Sequence, residues 1–268
     1  MKNPELARVF ENTKRDMGRG YFINPNGEQV KFRGVNLMLK NTVKYSELYK
    51  DEGKDVYFEN PKIYVQNIDT FEKAIELGSD AVCLNMASSM SRGGGVVNGS
   101  MAQEECLCRR SNLYLSLEAV DYPIPVFGGI YSPSVNIYKD RENNELPDII
   151  KTNVISVSAV NRPTLMEDGL HVERRYLGMI KAKIRAILRI AKIHNHTKLV
   201  LGAFGCGAYR NPAGHIAELF AKVLSEKEFK NSFEEICFAI IEDLNSKRLN
   251  NRQGNLIPFA RVFGLKKD

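Results

Sequence analysis

The chain has 268 residues, 43% hydrophobic and 26% charged, ordinary values for a globular protein with one large domain, or a core domain with an extension. No stretch approaches the roughly 18–20 consecutive apolar residues of a membrane span, which excludes a helical membrane protein. The formal net charge of +6 is compatible with a polyanionic partner, but the basic residues are dispersed and solubility alone accounts for an excess of this size.

The N-terminal sequence MKNPELARVFENTKRDM lacks the apolar core of a signal peptide. Its second part, from Pro4, is expected to form a first helix. Residues Gly20 to Phe32 form a hairpin in this reading, with Asn26-Gly27 at the turn. A polar stretch from Lys44 to Glu59 separates this region from the rest, so residues 1–55 are expected to be an accessory region packed on a main domain of residues 56–268.

The main domain alternates strands and helices. Strands are expected at 62–67, 80–88, 152–160, 198–204 and 235–241, with short strands around a glycine turn at 125–140. Helices are expected at 70–77, 102–117, 172–194 and 213–225. In the third of these, Leu177, Ile180, Ile184, Leu188 and Ala191 recur at helical spacing. The cations of KAKIRAILRIAK (Lys181 to Lys192) therefore form the outer face of a core-packed helix and not a nucleic-acid patch. The alternation predicts an α/β fold with a mixed or mostly parallel sheet and helices on both faces.

Five cysteines, Cys83, Cys106, Cys108, Cys206 and Cys237, are odd in number and lack metal-ligand spacing. All five are expected to be reduced, as in a cytoplasmic protein. His194-Asn195-His196 sits where a helix ends, a favourable place for imidazole. No metal and no cofactor are expected.

Two glycine loops follow strands and precede helices. In LVLGAFGCGAYRNPAGHIAELF, Gly202, Gly205 and Gly207 lead into a helix that Asn211 can cap, with Pro212 at its first position. Such a loop can be a plain tight turn or an anion cradle of main-chain N–H groups. In GGGVVNGSMAQEE, three glycines at 93–95 precede Gln103, Glu104 and Glu105 by seven residues. Glutamates are common in a first helical turn, where they offset the helix dipole. In such sheets ligands bind at the carboxyl ends of strands, so both loops can meet at one cleft. A carboxylic acid beside a sugar-phosphate site points to glycosidic cleavage.

The pairing of GGG with QEE resembles the signature of the poly(ADP-ribose) glycohydrolases. GAFGCGAYRNP resembles the diphosphate loop of that family, LNMAS its strand ahead of the glycine loop, and GYFINPNGEQV the N-terminal part of its microbial-type members. One departure is Arg92, where many members have proline. The resemblance implies a macrodomain-like three-layer α/β/α sandwich with a mixed sheet, extended at the N-terminus by the helix and hairpin, and a protein that takes ADP-ribose or poly(ADP-ribose), possibly attached to a modified protein, as its partner. The lack of an apolar span, and scattered basic residues without a recognised reader motif, separately lead to the expectation of no membrane and no direct nucleic-acid partner.

By the same resemblance Glu105 is the catalytic acid and Glu104 positions the ribose at the scissile bond. Gly93, Gly94, Gly95 and Val96 enclose that ribose, and Gln103 supports the glutamates. Asn85 and Ser88 are ribose contacts, Gly205, Cys206, Gly207 and Ala208 cradle the diphosphate, Tyr209 packs against ribose and adenine, and Ile68 and Asp69 meet the adenine. To protonate a leaving oxygen, Glu105 needs a raised pKa; the helix N-terminus opposes this, while burial against substrate, the adjacent Glu104 and the diphosphate favour it. The expected activity is release of ADP-ribose from the polymer, reversing ADP-ribosylation. A hydrolase of single ADP-ribose units on proteins, and a reader that binds without cleaving, would share the same cradle.

Overall fold

The computed structural model describes residues 3–46, 56–242 and 253–266. Most of the polar stretch expected at Lys44–Glu59 lies outside them. The first helix, α1 (Pro4–Arg19), starts where Asn3 Oδ1 accepts the N–H groups of Glu5 and Leu6, and it stops at Gly20, which has φ 81°. Strands β1 (Tyr21–Ile23) and β2 (Gln29–Lys31) form the expected hairpin. Two elements not anticipated from sequence follow, α2 (Val35–Lys40) and β3 (Val43–Tyr45).

Next come β4 (Lys62–Gln66), α3 (Thr70–Leu77), β5 (Val82–Met86), α4 (Gln103–Arg110) and α5 (Leu113–Glu118). The single helix expected at 102–117 is therefore two. Asn112 Oδ1 accepts the N–H of Asn136 and Ser111 pairs with Ile137, so a neighbouring strand claims the backbone at the break. That strand is β6 (Gly129–Lys139), which with β7 (Glu145–Val157) makes one long hairpin instead of short strands around a turn. A bulge between Ser132 and Val135 accommodates Pro133.

The chain then runs through α6 (Arg174–Ile193), β8 (Lys198–Leu201), α7 (Ala213–Leu224) and β9 (Glu235–Ala239) to α8 (Leu256–Phe263), a helix the sequence did not reveal. Phe259 and Phe263 of α8 pack on Phe238, the latter stacked at 4.5 Å. Burying rings of this size stabilises by about 1.5–3 kcal/mol each. Beyond α8, Val65 exchanges backbone hydrogen bonds with Gly264 and Lys266, which covers the open edge of β4.

The seven-stranded sheet has the order β3-β6-β7-β5-β8-β9-β4. Strands from β7 to β4 run parallel, while β6 is antiparallel to both neighbours. Side chains alternate between two cores. Val82 and Leu84 of β5 face Ile184 of α6 and Phe220 of α7; Cys83 faces Phe71 of α3 and Leu107 of α4. Phe10 of α1 and Met38 of α2 join the second core, so the N-terminal elements share the domain's interior. This is a three-layer α/β/α sandwich.

Topology fixes the cleft. Strands β5 and β8 are parallel neighbours, yet β5 leads to α4 on one face and β8 to α7 on the other. Adjacent strands whose connections leave to opposite faces open a crevice at their carboxyl ends.

The two imidazoles at the end of α6 are structural. His194 stacks on Tyr131 at 3.5 Å and meets the hydroxyl of Tyr45 at 2.9 Å; His196 bridges the Tyr131 hydroxyl and the Asp80 carbonyl, each at 2.8 Å. Burial pushes His194 down to about 4 and lowers His196 as well. A histidine lowered on folding stabilises fully above its ordinary value of 6.5, and that contribution is lost as pH falls toward about 4. The melting temperature of the parent is therefore expected to fall more steeply across this window than that of His194→Gln. Parallel curves in thermal melts from pH 7 to pH 4 would contradict it.

Candidate active site

Strand β8 pairs with β5 only at Val82 and Cys83. Beyond that point the edge of β5 is met by one side chain. Gln103, the first residue of α4, accepts the N–H of Met86 at 2.8 Å through Oε1 and donates to the carbonyl of Leu84 at 2.6 Å through Nε2, with Thr70 Oγ1 at 3.1 Å. The amide completes the strand's ladder and fixes where α4 begins.

The next two residues are thereby set in place. Glu104 and Glu105 are buried, at 4% and 7% exposure. Glu104 Oε2 accepts the N–H of Ser88 at 2.7 Å, and Oε1 lies 3.4 Å from Asn85 Nδ2. Glu105 Oε1 accepts the N–H of Gly95 at 2.8 Å, while its buried Oε2 has no hydrogen-bond partner among the described residues. Burial, reinforced by the neighbouring Glu105, pushes Glu104 up to about 8 against the pull of the Ser88 N–H.

The three glycines are bare because the loop lies directly on these carboxylates. Gly94 has φ 58°, and a Cβ there would run into Glu105 Oε1 and come within 3.0 Å of Glu104 Oε2. A Cβ at Gly93 would approach the Tyr114 ring to 2.9 Å, and one at Gly95 would overlap the Ser100 hydroxyl. Arg92 stiffens the loop from outside. Its Nε and Nη2 donate to the carbonyls of Leu117 and Val120 at the end of α5, and its guanidinium lies over Tyr122.

The glutamates face a cavity of about 640 Å³, within the usual range for small-molecule sites. One wall is Ser88, Gly94, Ser100 to Cys106; another is Ala203, Gly205, Gly207, Ala208 and Tyr209; Ile68, Asp69, Thr70, Arg110, Arg141, Ile240, Ile241 and Asn255 are also on it. Asp69 Oδ1 caps α3 and pairs with Arg110 at 2.7 Å, so its Oδ2 keeps acceptor capacity.

In the second glycine loop, Gly205 has φ 75°, and a Cβ there would strike Ala159 and Asn211, each at 2.6 Å. Asn211 does not cap α7 as expected. Pro212 takes that position, and Asn211 Nδ2 instead donates to the carbonyls of Val160 and Gly205, fastening the loop to the end of β7. The N–H groups of Gly207, Ala208 and Tyr209 go to no protein acceptor among the described residues. A run of such donors is an anion cradle.

Of the residues singled out from sequence, Ser88, Gly94, Gln103, Glu104, Glu105, Gly205, Gly207, Ala208, Tyr209, Ile68 and Asp69 come together around this cavity. Asn85, Gly93, Gly95, Val96 and Cys206 are not on its wall. Asn85 is fully buried behind Glu104, where it also bonds Ser156, and the side chains of Val96 and Cys206 turn into the two cores. Sequence reasoning missed Arg110, Arg141, Ile240, Ile241 and Asn255. Arg110 is the last residue of α4, Arg141 lies in the turn between β6 and β7, Ile240 and Ile241 follow β9, and Asn255 precedes α8; no motif marks them.

A three-layer sandwich with two glycine loops at one strand-end crevice, and a buried glutamate pair beneath one of them, defines a macrodomain-like protein equipped for acid catalysis. Residues 11–140 match the family described as the catalytic domain of microbial-type poly(ADP-ribose) glycohydrolase (PARG). Solved structures extend the likeness through the second glycine loop. The glycohydrolase of Thermomonospora curvata bound to the inhibitor ADP-HPD is similar at 29% identity and a TM-score of 0.81, over 97% of this chain and all (100%) of that one. The glycohydrolase of Deinococcus radiodurans in complex with ADP-ribose is similar at 28% identity and a TM-score of 0.69, over 87% of this chain and 98% of that one. Comparison with curated protein sequences gave no match.

The raised Glu104 gives a pH test. A carboxyl raised on folding stabilises fully below its ordinary value of 4.5, and that contribution is lost as pH rises through about 8. Glu104→Gln does not titrate, so its melting temperature relative to the parent is expected to climb between pH 4.5 and pH 8 and then level off. A constant difference across that range would show that Glu104 is not held neutral.

Proposed function

We propose that the chain is a poly(ADP-ribose) glycohydrolase, hydrolysing the ribose–ribose bonds of the polymer to release ADP-ribose. The observation that carries this is the division of labour within Glu105. Gly95 holds one carboxyl oxygen, and the other is buried without a protein partner beside the cavity. A carboxyl fixed at one atom and unpaired at the other is suited to transfer a proton at the unpaired atom. The relatives solved with ADP-ribose and with ADP-HPD support the choice of ligand.

In this mechanism ADP-ribose lies with its diphosphate on the N–H groups of Gly207, Ala208 and Tyr209 and its adenine toward Ile68 and Asp69. The terminal ribose sits under Gly94 and Ser88. Glu104, neutral near pH 7, positions a ribose hydroxyl. Glu105 protonates the leaving ribose oxygen as the glycosidic bond breaks through an oxocarbenium-like ribose. Water adds to the ribose carbon and returns its proton to Glu105. Asn85, Gly93, Gly95, Val96 and Cys206 act from behind the wall, by holding the groups that form it. Proton transfer supplies the chemistry, and no cofactor is called for.

We take residues 56–268 as the catalytic domain and 1–55 as a region packed on it. The five cysteines are free, which fits the reducing cytoplasm, and we place the protein there.

The test is ADP-ribose release from purified poly(ADP-ribose). Glu105→Gln is expected to lose about 10²- to 10⁴-fold in kcat while still binding ADP-ribose. Full activity in the variant would remove Glu105 from the role of acid. A parent that binds ADP-ribose but releases none from the polymer would be a reader, or a hydrolase of single protein-linked units.

A further inference from the structure

Arg109 is 2% exposed and, among the described residues, has no carboxylate partner in an ion pair. Its Nη1 donates to the carbonyl of Ser100 at 2.6 Å, and its Nη2 to Cys106 Sγ at 3.2 Å. Burying a cation without an acid is costly, and an apolar side chain of the same length would usually pack as well or better. What the guanidinium holds accounts for its presence.

The carbonyl of Ser100 belongs to the loop that grips Glu105. The N–H of Ser100 donates to the carbonyl of Gly95 at 3.2 Å, and the N–H of Gly95 donates to Glu105 Oε1 at 2.8 Å. Glu105 and Arg109 stand one helical turn apart on α4. The contacts therefore close a ring, from Glu105 through Gly95, Ser100 and Arg109 back to Glu105. A link to α1 steadies it. Thr13 donates its hydroxyl to the carbonyl of Arg109 at 2.7 Å and in turn accepts from Lys139 Nζ at 3.0 Å. The start of α1 also presses on this loop, since a Cβ at Gly99 would overlap the main chain of Asn3.

We propose that Arg109 is a positioning residue for the reaction, closing the glycine loop onto Glu105 so that its unpaired oxygen is held at the scissile bond, with α1 as the brace. This rests on the glycohydrolase assignment. The ring touches the reacting end of the site and leaves the second glycine loop alone. Loss of Arg109 should therefore slow the chemical step without weakening the grip on ADP-ribose.

The experiment compares the parent with Arg109→Met, Arg109→Lys and Thr13→Val, measuring kcat and KM on poly(ADP-ribose), ADP-ribose affinity, melting temperature and amide hydrogen exchange. Arg109→Met is expected to lose about tenfold to a hundredfold in kcat, with KM and ADP-ribose affinity within about threefold of the parent. Segment 93–100 should exchange faster and segment 205–212 unchanged. Arg109→Lys, which can still reach one acceptor, should recover part of the rate. A folded Arg109→Met with kcat within about twofold of the parent, or with an equal loss in ADP-ribose affinity, would overturn the proposal. If Arg109→Met does not fold, Thr13→Val decides. A smaller loss confined to kcat supports the brace, and unchanged kcat with unchanged exchange in 93–100 rejects it. A parent that binds ADP-ribose without cleaving the polymer defeats the glycohydrolase assignment instead, and exchange in 93–100 still reports whether Arg109 holds the loop.

Discussion

The site depends on a single amide. Where β8 diverges from β5, two backbone groups of β5, the Leu84 carbonyl and the Met86 N–H, are left without a neighbouring strand, and Gln103 satisfies both. Buried backbone polar groups must be paired, so the crevice can open only if something substitutes for the missing strand. Because the substitute is the first residue of α4, the act of closing the strand edge also delivers the next two residues, both glutamates, to the mouth of the crevice. A helix starting one residue earlier or later would turn them about 100° away, since successive residues are spaced at 3.6 per turn.

The same arrangement explains how two adjacent acids are tolerated in a buried setting. Each is held by a main-chain N–H from a loop, Ser88 for Glu104 and Gly95 for Glu105. These donors offset part of the desolvation cost but not all of it, and the remainder appears as a Glu104 that is neutral at pH 7. The glycine loop then has two duties. It must approach the carboxylates closely enough to donate to one, and it must leave the space over them open. Side chains at Gly94 and Gly95 would defeat the first.

Local patterns announced most of this architecture. The alternation of apolar strands with periodic helices gives the three layers, and the spacing from the glycines to Gln-Glu-Glu marks the acidic wall of the cleft. What escaped was decided by distant contacts. Helix α4 stops at Ser111 because β6 captures the backbone there, although Leu113 and Leu117 continue the helical spacing. Pro133 reads as a strand breaker, yet a bulge absorbs it. Strand β3 is three residues long and acquires its identity only by pairing with β6. Asn211 has the chemistry of a helix cap, but the carbonyls of Val160 and Gly205 compete for its amide and win. Spacing likewise cannot say whether Val96 and Cys206 face a ligand or the core, because both faces of a short loop are sampled within a residue or two.

Arg92 shows that one mechanical need can be met through different thermodynamics. A proline ahead of the glycines, as in many members of the family, would limit the loop in the unfolded chain as well as the folded one, and its stiffness would be intrinsic. The arginine leaves the unfolded chain free and borrows rigidity from the carbonyls at the end of α5. The glycine loop is then only as firm as the last turn of that helix. Fraying of α5, the kind of local opening that rises with temperature, would reach the glycines before the domain itself melts, so the firmness of this loop is tied to a small helix that does not line the cavity.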